Sequence, residues 1–246
     1  MILFGHRGAK GEAPENTLAG FQYGLNVGLR AFETDVRLTA DGEIVLLHDA
    51  TVDRTTDGTG AVAGMTLEQV RSLDARADFP DWPAPCRVPT LDELLDFLPP
   101  DVTVEVEIKR DTPERLALLV PRLVEALDRH DARGRVTISS FEADALRRAR
   151  EAAPEIPRGF IGAYDAPRFL ETAVDLECAQ ADIPLATGSV EMVRAAHDAG
   201  LRVTGWPGDT DAQMETLVRE WRVEGITTNF PSVALPFMRA AADRGD

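Results

Sequence analysis

Short apolar or alternating runs recur at residues 2–5, 31–38, 43–47, 102–109, 135–139, 158–162, 178–183, 201–206 and 225–228. Between most of them, apolar residues return every three or four positions, which predicts amphipathic helices at 18–27, 113–129, 143–152, 190–199 and 212–221. Strands that alternate with helices build a parallel sheet covered by helices. Nine candidates are one strand more than an eight-stranded α/β barrel needs, and residues 35–48 show why: they leave no room for a helix between the second and third runs. Asp41-Gly42 between alternating runs is a hairpin signal, read here as a two-residue type I′ turn. The third run is then an antiparallel return strand. With that turn, Ala40 faces Glu43 and Asp35 faces His48, on one face and about 4.5–5.5 Å apart at Cβ.

The expectation is an α/β fold: a (β/α)8 TIM barrel over residues 1–246 as a single domain. A small insertion at about 50–90 follows the second strand's hairpin. That stretch breaks the rhythm with Thr55-Thr56-Asp57-Gly58-Thr59-Gly60 and a proline-rich run at 79–89. Two capping boxes, Thr66 with Gln69 and Thr90 with Glu93, start short helices there. The segment reads as an excursion at the active-site rim.

Barrel chemistry collects at the carboxyl ends of the strands. The first run ends in His6-Arg7-Gly8, the second carries Glu33 and Asp35, and the fourth carries Glu105, Glu107 and Lys109. Alternation puts Glu33 and Asp35 on one face and Phe32, Thr34 and Val36 on the other, while Glu107 and Lys109 oppose Val106 and Ile108. The apolar faces pack on the helices, so the charged faces point into the barrel. Buried charge at that density is costly unless it is paired or bound to a metal. Oxygen ligands without thiolates suit a hard cation, Mg2+ or Ca2+. Such a cation with Arg7 and Lys109 makes an anion site, and His6 and His48 beside it supply an acid and a base near neutral pH. Glu33, Asp35 and Glu107 form the expected metal set. Glu105 lies a layer deeper and is left out. Together these groups point to metal-dependent hydrolysis of a phosphodiester. His130 reads as an exposed helix end and His197 as a helix-surface position.

The remaining composition narrows the partners. The 44% hydrophobic and 28% charged residues are ordinary for a soluble globular chain. A net charge of −16 argues against nucleic acid. No apolar run reaches the roughly 20 residues of a membrane span, and no signal peptide is visible, so the expected location is the cytoplasm. Cys86 and Cys178 are expected to be unpaired thiols.

Read together, these motifs resemble the glycerophosphodiester phosphodiesterases. The match runs through His6-Arg7-Gly8, Pro14-Glu15-Asn16-Thr17, Glu33-Thr34-Asp35, Asp41-Gly42 leading to His48-Asp49, and Asp53-Arg54-Thr55-Thr56. It continues through Val88-Pro89-Thr90-Leu91-Asp92-Glu93-Leu94, Glu107-Ile108-Lys109, Ser139-Ser140-Phe141 and Trp206. The resemblance implies the barrel with its rim insert and hydrolysis of small-molecule glycerophosphodiesters to sn-glycerol 3-phosphate and an alcohol, with one divalent cation. It implies His6 and His48 as the acid–base pair and Glu33, Asp35 and Glu107 as metal ligands. Arg7 and Lys109 would hold the phosphate, Glu15 would support the metal site or its ligands, and Phe141 and Trp206 would line the glycerol side. A lipid-headgroup phospholipase on the same barrel and a non-catalytic phosphodiester-binding protein are the alternatives. The chain departs from the family pattern twice. Pro207-Gly208-Asp209 follows Trp206 in place of Thr-Val-Asn, and Thr228-Asn229 replaces Thr-Asp; both put substrate choice in question more than catalysis.

Overall fold

The computed structural model describes residues 1–162 and 168–244. Eight parallel strands close into a barrel: β1 (Ile2–His6), β2 (Ala31–Leu38), β4 (Thr103–Ile108), β5 (Val136–Ser140), β6 (Arg158–Ile161), β7 (Gln180–Pro184), β8 (Arg202–Trp206) and β9 (Gly225–Thr228). Pairing of β1 with both β2 and β9 shuts the ring. The extra strand, β3 (Ile44–Leu46), is antiparallel to the outer half of β2 and lies outside the ring, as its sequence predicts.

Outward side chains of the strands and inward faces of the helices share the main core. On β4, Val104, Val106 and Ile108 are fully buried, as are Val120, Leu123 and Leu127 of α4 (Pro113–Arg129). That helix begins cleanly because Thr112 accepts a hydrogen bond from the Arg115 backbone and Pro113 sits in the first turn, where its missing N–H costs nothing. Helices α1 (Leu18–Val27) and α5 (Ala143–Ala152) match their periodicity, and α7 (Val190–Asp198) ends one residue early. The fifth predicted helix is split: α8 (Asp211–Glu215) runs into a π-helical stretch, Thr216–Trp221. Two helices were not foreseen, α6 (Phe169–Asp175) and α9 (Pro231–Arg244), the latter with Pro236 inside it. His130 is not a free surface group, since its ring bridges Asp92 and Asp96 at the end of α4.

Between β3 and β4, a separate small core forms around Val45, Leu47, Val52, Val62, Val70, Cys86 and Val88. Both capping boxes are present, at the starts of α2 (Leu67–Arg71) and α3 (Leu91–Phe97). Cys86 and Cys178 are buried free thiols.

The hairpin corrects the expected register by one residue. Val36 pairs with Leu46, Leu38 with Ile44, and Thr39 N donates to Glu43 O. Leu47, not His48, faces Asp35, and the Leu47 N–H donates to the Asp35 carbonyl. The physical reason is the turn. Only Gly42 is left-handed (φ +86°), and Gly42 N donates to Thr39 O, so the loop is three residues closed by a left-handed glycine and not a two-residue type I′ turn. Asp-Gly serves either loop, which is why the residue types alone misplace the register. Replacing Gly42 by Ala should cost about 1–2 kcal/mol, the penalty of a side chain in the left-handed region. A urea midpoint unchanged in Gly42→Ala would contradict this turn.

Candidate active site

Parallel register sets the acidic groups side by side. Asp35 of β2 pairs with Glu107 of β4, and Glu33 with Glu105. One carboxylate oxygen each from Glu33, Asp35 and Glu107 lies within 4.8 Å of the others, and all three residues are buried. Lys109, just past β4, reaches Asp35 Oδ1 at 3.3 Å and Glu107 Oε1 at 2.6 Å.

The turn after β1 supplies the second cation. Arg7 and Gly8 are both left-handed (φ +51° and +88°), which reverses the chain at the barrel mouth. The Arg7 backbone N–H then donates to Glu33 Oε2 (3.1 Å), and its side chain folds back so that Nε is 3.1 Å from Asp35 Oδ2. Asn16, also left-handed (φ +52°), donates from Nδ2 to the same Asp35 oxygen (2.9 Å) and accepts from the Thr34 hydroxyl. Glu15 does not line the cleft. It accepts from Arg7 (3.1 Å) and is held from the other side by Arg54, which also binds Asp49 and Asp78.

Charge is unevenly distributed in this cluster. Burial works against the Asp35 charge, yet Arg7 and Lys109 hold its carboxyl below the usual carboxylate range. Burial, with Asp35 beside it, pushes Glu107 up to about 7 against the pull of Lys109. Burial, Asp35 and Glu107 push Glu33 well above the ordinary value. Its Oε1 is buried without a hydrogen-bond partner among the described residues. The two cations therefore satisfy Asp35, meet Glu107 only in part, and leave Glu33 least served.

The histidines stand on either side. His6 Nε2 is 3.7 Å from Glu33 Oε2, and its Nδ1 is 2.6 Å from Asn229 Oδ1. Burial, then Arg7 and Lys10, lower the His6 pKa to about 3, so its ring is neutral. His48 arrives through the bend after β3, where Arg37 clamps its carbonyl at 2.9 and 2.7 Å. Its Nδ1 is 2.6 Å from Asp49 Oδ1. Both rings line one cleft of about 520 Å³, open mouth included, with Arg7, Glu33, Glu107 and Lys109. The far wall carries Phe141, which sits 5.8 Å under Lys109 Nζ, together with Trp206 and Thr227.

Several residues at the site were not singled out by the sequence reading. Asn16 appeared only as part of a motif, and Asp49 only as the neighbour of His48. Asn229 was read as a substrate-side departure, though applying the strand-end rule to β9 points straight to it. A polar bridge also crosses the barrel floor, where Gln180 of β7 donates to Glu105 (2.9 Å) and to Asp182 (2.7 Å). Glu105 is thereby tied away from the cation cluster.

Comparison with known proteins fits this arrangement. Residues 6–233 match the model of the glycerophosphoryl diester phosphodiesterase family. The chain belongs to that family. It is 32% identical to a glycerophosphodiester phosphodiesterase of Caldanaerobacter subterraneus over 97% of this chain and 98% of the relative. It is 27% identical to one from Bacillus subtilis over 95% and 85%. A solved Oleispira antarctica phosphodiesterase, in complex with the product sn-glycerol-3-phosphate, superposes with a TM-score of 0.89 at 26% identity, covering 97% of each chain. This member of the family is a glycerophosphodiester phosphodiesterase, a phosphoric diester hydrolase.

Asn16→Gly keeps the left-handed backbone and removes the amide that holds Asp35. It should lower kcat/KM roughly 10–100-fold, the loss expected when a site carboxylate loses the hydrogen bond that orients it, with an unchanged circular dichroism spectrum. Parental kcat/KM in that variant would show that Asp35 needs no such support.

Proposed function

We propose that the enzyme hydrolyses glycerophosphodiesters to sn-glycerol 3-phosphate and an alcohol, with one divalent cation, Mg2+ or Ca2+, on Glu33, Asp35 and Glu107, and with His6 and His48 as the acid–base pair. The observation that carries this reading is the joint placement of three converging buried carboxylates, one with an unpartnered oxygen, and two imidazoles on a single cleft. An all-oxygen donor set fits a hard cation, and a third positive centre is what Glu33 lacks. Such a cation, when bound, neutralises phosphoryl oxygen charge as a Lewis acid.

The chain's own groups do the rest. Arg7 and Lys109 face the cleft and hold the phosphate oxygens, with their directions set by Asp35, Glu15 and Glu107. One histidine takes the proton of the attacking oxygen, that of water or of the substrate's own glycerol hydroxyl, as it bonds to phosphorus; in the second case water then opens the cyclic phosphate to sn-glycerol 3-phosphate. The other gives a proton to the alcohol oxygen as its bond to phosphorus breaks. Phe141 and Trp206 pack the glycerol carbons, and Glu15 keeps Arg7 aimed. Residues 50–90 are the rim insert of one catalytic domain over 1–246, reaching the site through Arg54. The product named for the Oleispira antarctica relative supports the choice of substrate. No helix among the described residues is long and apolar enough to cross a membrane, and soluble glycerophosphodiesters are the substrates we expect, not phospholipid in vesicles.

Two measurements test this. His6→Ala and His48→Ala should each lower kcat by roughly 10²–10⁴-fold, the usual worth of a general acid or base, with the fold intact; full activity in either removes that histidine from the mechanism. Exhaustive chelation should abolish turnover of glycerophosphocholine, and added Mg2+ or Ca2+ should restore it. Glu33→Gln should raise the ion concentration needed. Activity indifferent to chelation would sink the metal role.

A further inference from the structure

The loop after β8 and the end of β9 meet behind His6. The Asp209 carboxylate gathers three donors from a single dipeptide. Its Oδ1 accepts from the Asn229 backbone N–H (2.7 Å) and the Thr228 hydroxyl (3.3 Å), and its Oδ2 accepts from Asn229 Nδ2 (2.5 Å). A carboxylate only accepts, so the end of the Asn229 amide that faces Asp209 is the NH2 end. The end that faces His6 is then Oδ1, 2.6 Å from Nδ1. This direction follows from donor and acceptor chemistry and does not depend on telling amide O from N. A carbonyl oxygen also only accepts, so His6 Nδ1 carries the hydrogen. A neutral imidazole has one N–H, which leaves the Nε2 lone pair on the Glu33 side of the ring.

We propose that Asp209 and Asn229 are positioning residues that lock His6 in the Nδ1–H tautomer, with Nε2 open to the cleft as a proton acceptor. The inference rests on His6 belonging to the acid–base pair. It also accounts for the two departures from the family pattern noted in the sequence. Where that pattern has an amide after the tryptophan and an acid after the last strand, this chain has Asp209 and Asn229. The exchange is reciprocal, so this chain keeps one acid and one amide at the two positions, and here the end next to His6 accepts.

Steady-state kinetics and nitrogen-15 NMR of the His6 ring in the Mg2+-saturated enzyme test the lock, with the His6 signals identified by their loss in His6→Ala. In the parent, Nδ1 should be the protonated nitrogen and Nε2 the bare one. Asp209→Ala releases the amide to flip, so kcat should fall about 10–100-fold with KM little changed, and the ring should show a mixture of tautomers. Asn229→Asp sets two carboxylates against each other and should also lose activity. The double variant Asp209→Asn with Asn229→Asp should recover most of it, because a carboxylate again accepts from Nδ1 and an amide again donates to it. Recovery in the pair is not expected if the loop merely needs packing. A parent enzyme with the hydrogen on Nε2 overturns the proposal, whether or not any variant folds. So does Asp209→Ala with parental kcat and an unaltered ring, or a double variant no better than its singles. A fully active His6→Ala would instead overturn the acid–base reading, whereas a wrong tautomer with an inactive His6→Ala overturns this inference alone.

Discussion

Three buried carboxylates converge at the mouth of the barrel, with one oxygen of each within 4.8 Å of the others. Left alone, they would repel one another in a medium that screens poorly. Every nearby feature of the fold answers that repulsion. Lys109 continues the same face of β4 and meets two of them. Arg7 can do the same only because the chain turns left-handed at Arg7 and Gly8, which aims both its backbone N–H and its guanidinium inward. A Cβ at Gly8 would come within 3.0 Å of the backbone at Gly20 and Phe21, so the tight turn and the close helix behind it depend on the same glycine.

The counter-charges are themselves held, and this ties distant segments to one site. Glu15 is shared by Arg7 and Arg54, so the segment beyond β3 is fastened to the turn after β1 through one carboxylate. Asp49 takes the other side of Arg54 and also meets His48. Displacing Arg54 would therefore disturb Arg7 and the cleft histidine His48 together. The polar floor formed by Glu105, Gln180 and Asp182 plays a separate part. Gln180 keeps Glu105 turned across the barrel, and the upper cluster stays at three acids.

Most of the barrel was legible because its signals are local. Period-two alternation sorts Glu33 and Asp35 from Phe32, Thr34 and Val36 without knowledge of any neighbour. Helices with an uninterrupted apolar stripe, such as α4, declare themselves in the same way. What escaped depends on contacts between distant segments, or on features that several residue choices satisfy. Asp-Gly fits two loop lengths, and the one adopted moves every hairpin partner by a residue. His48 still reaches the cleft, through a bend braced by Arg37 and not through the pairing first inferred. Asn16, Asp209 and Asn229 act through partners 19, 20 and 223 residues away, and no local pattern shows such a pairing. Helix α9 was hidden by its weak apolar stripe more than by Pro236, since α4 is legible with Pro121 inside it.

The two histidines are chemically unequal, in how deeply each ring is buried and in what each Nδ1 meets. His48 meets a carboxylate, Asp49, which with Asp35 favours a positive imidazolium, yet burial, Arg7 and Lys109 outweigh them and lower its pKa. His6 meets a neutral amide oxygen, in a more enclosed position beside Arg7 and Lys10, and remains uncharged. An acid ready to release a proton and a base ready to accept one need opposite surroundings. Here the deeper burial of His6 separates the rings most, and their Nδ1 partners differ as well: Asp49 on the loop that brings His48 in and Asn229 at the end of the last strand. The carboxylate Asp209 stands one amide away from His6, close enough to orient Asn229 and too far to hold a proton on the ring itself. Moving that negative charge one link outward separates the task of aiming the imidazole from the task of charging it.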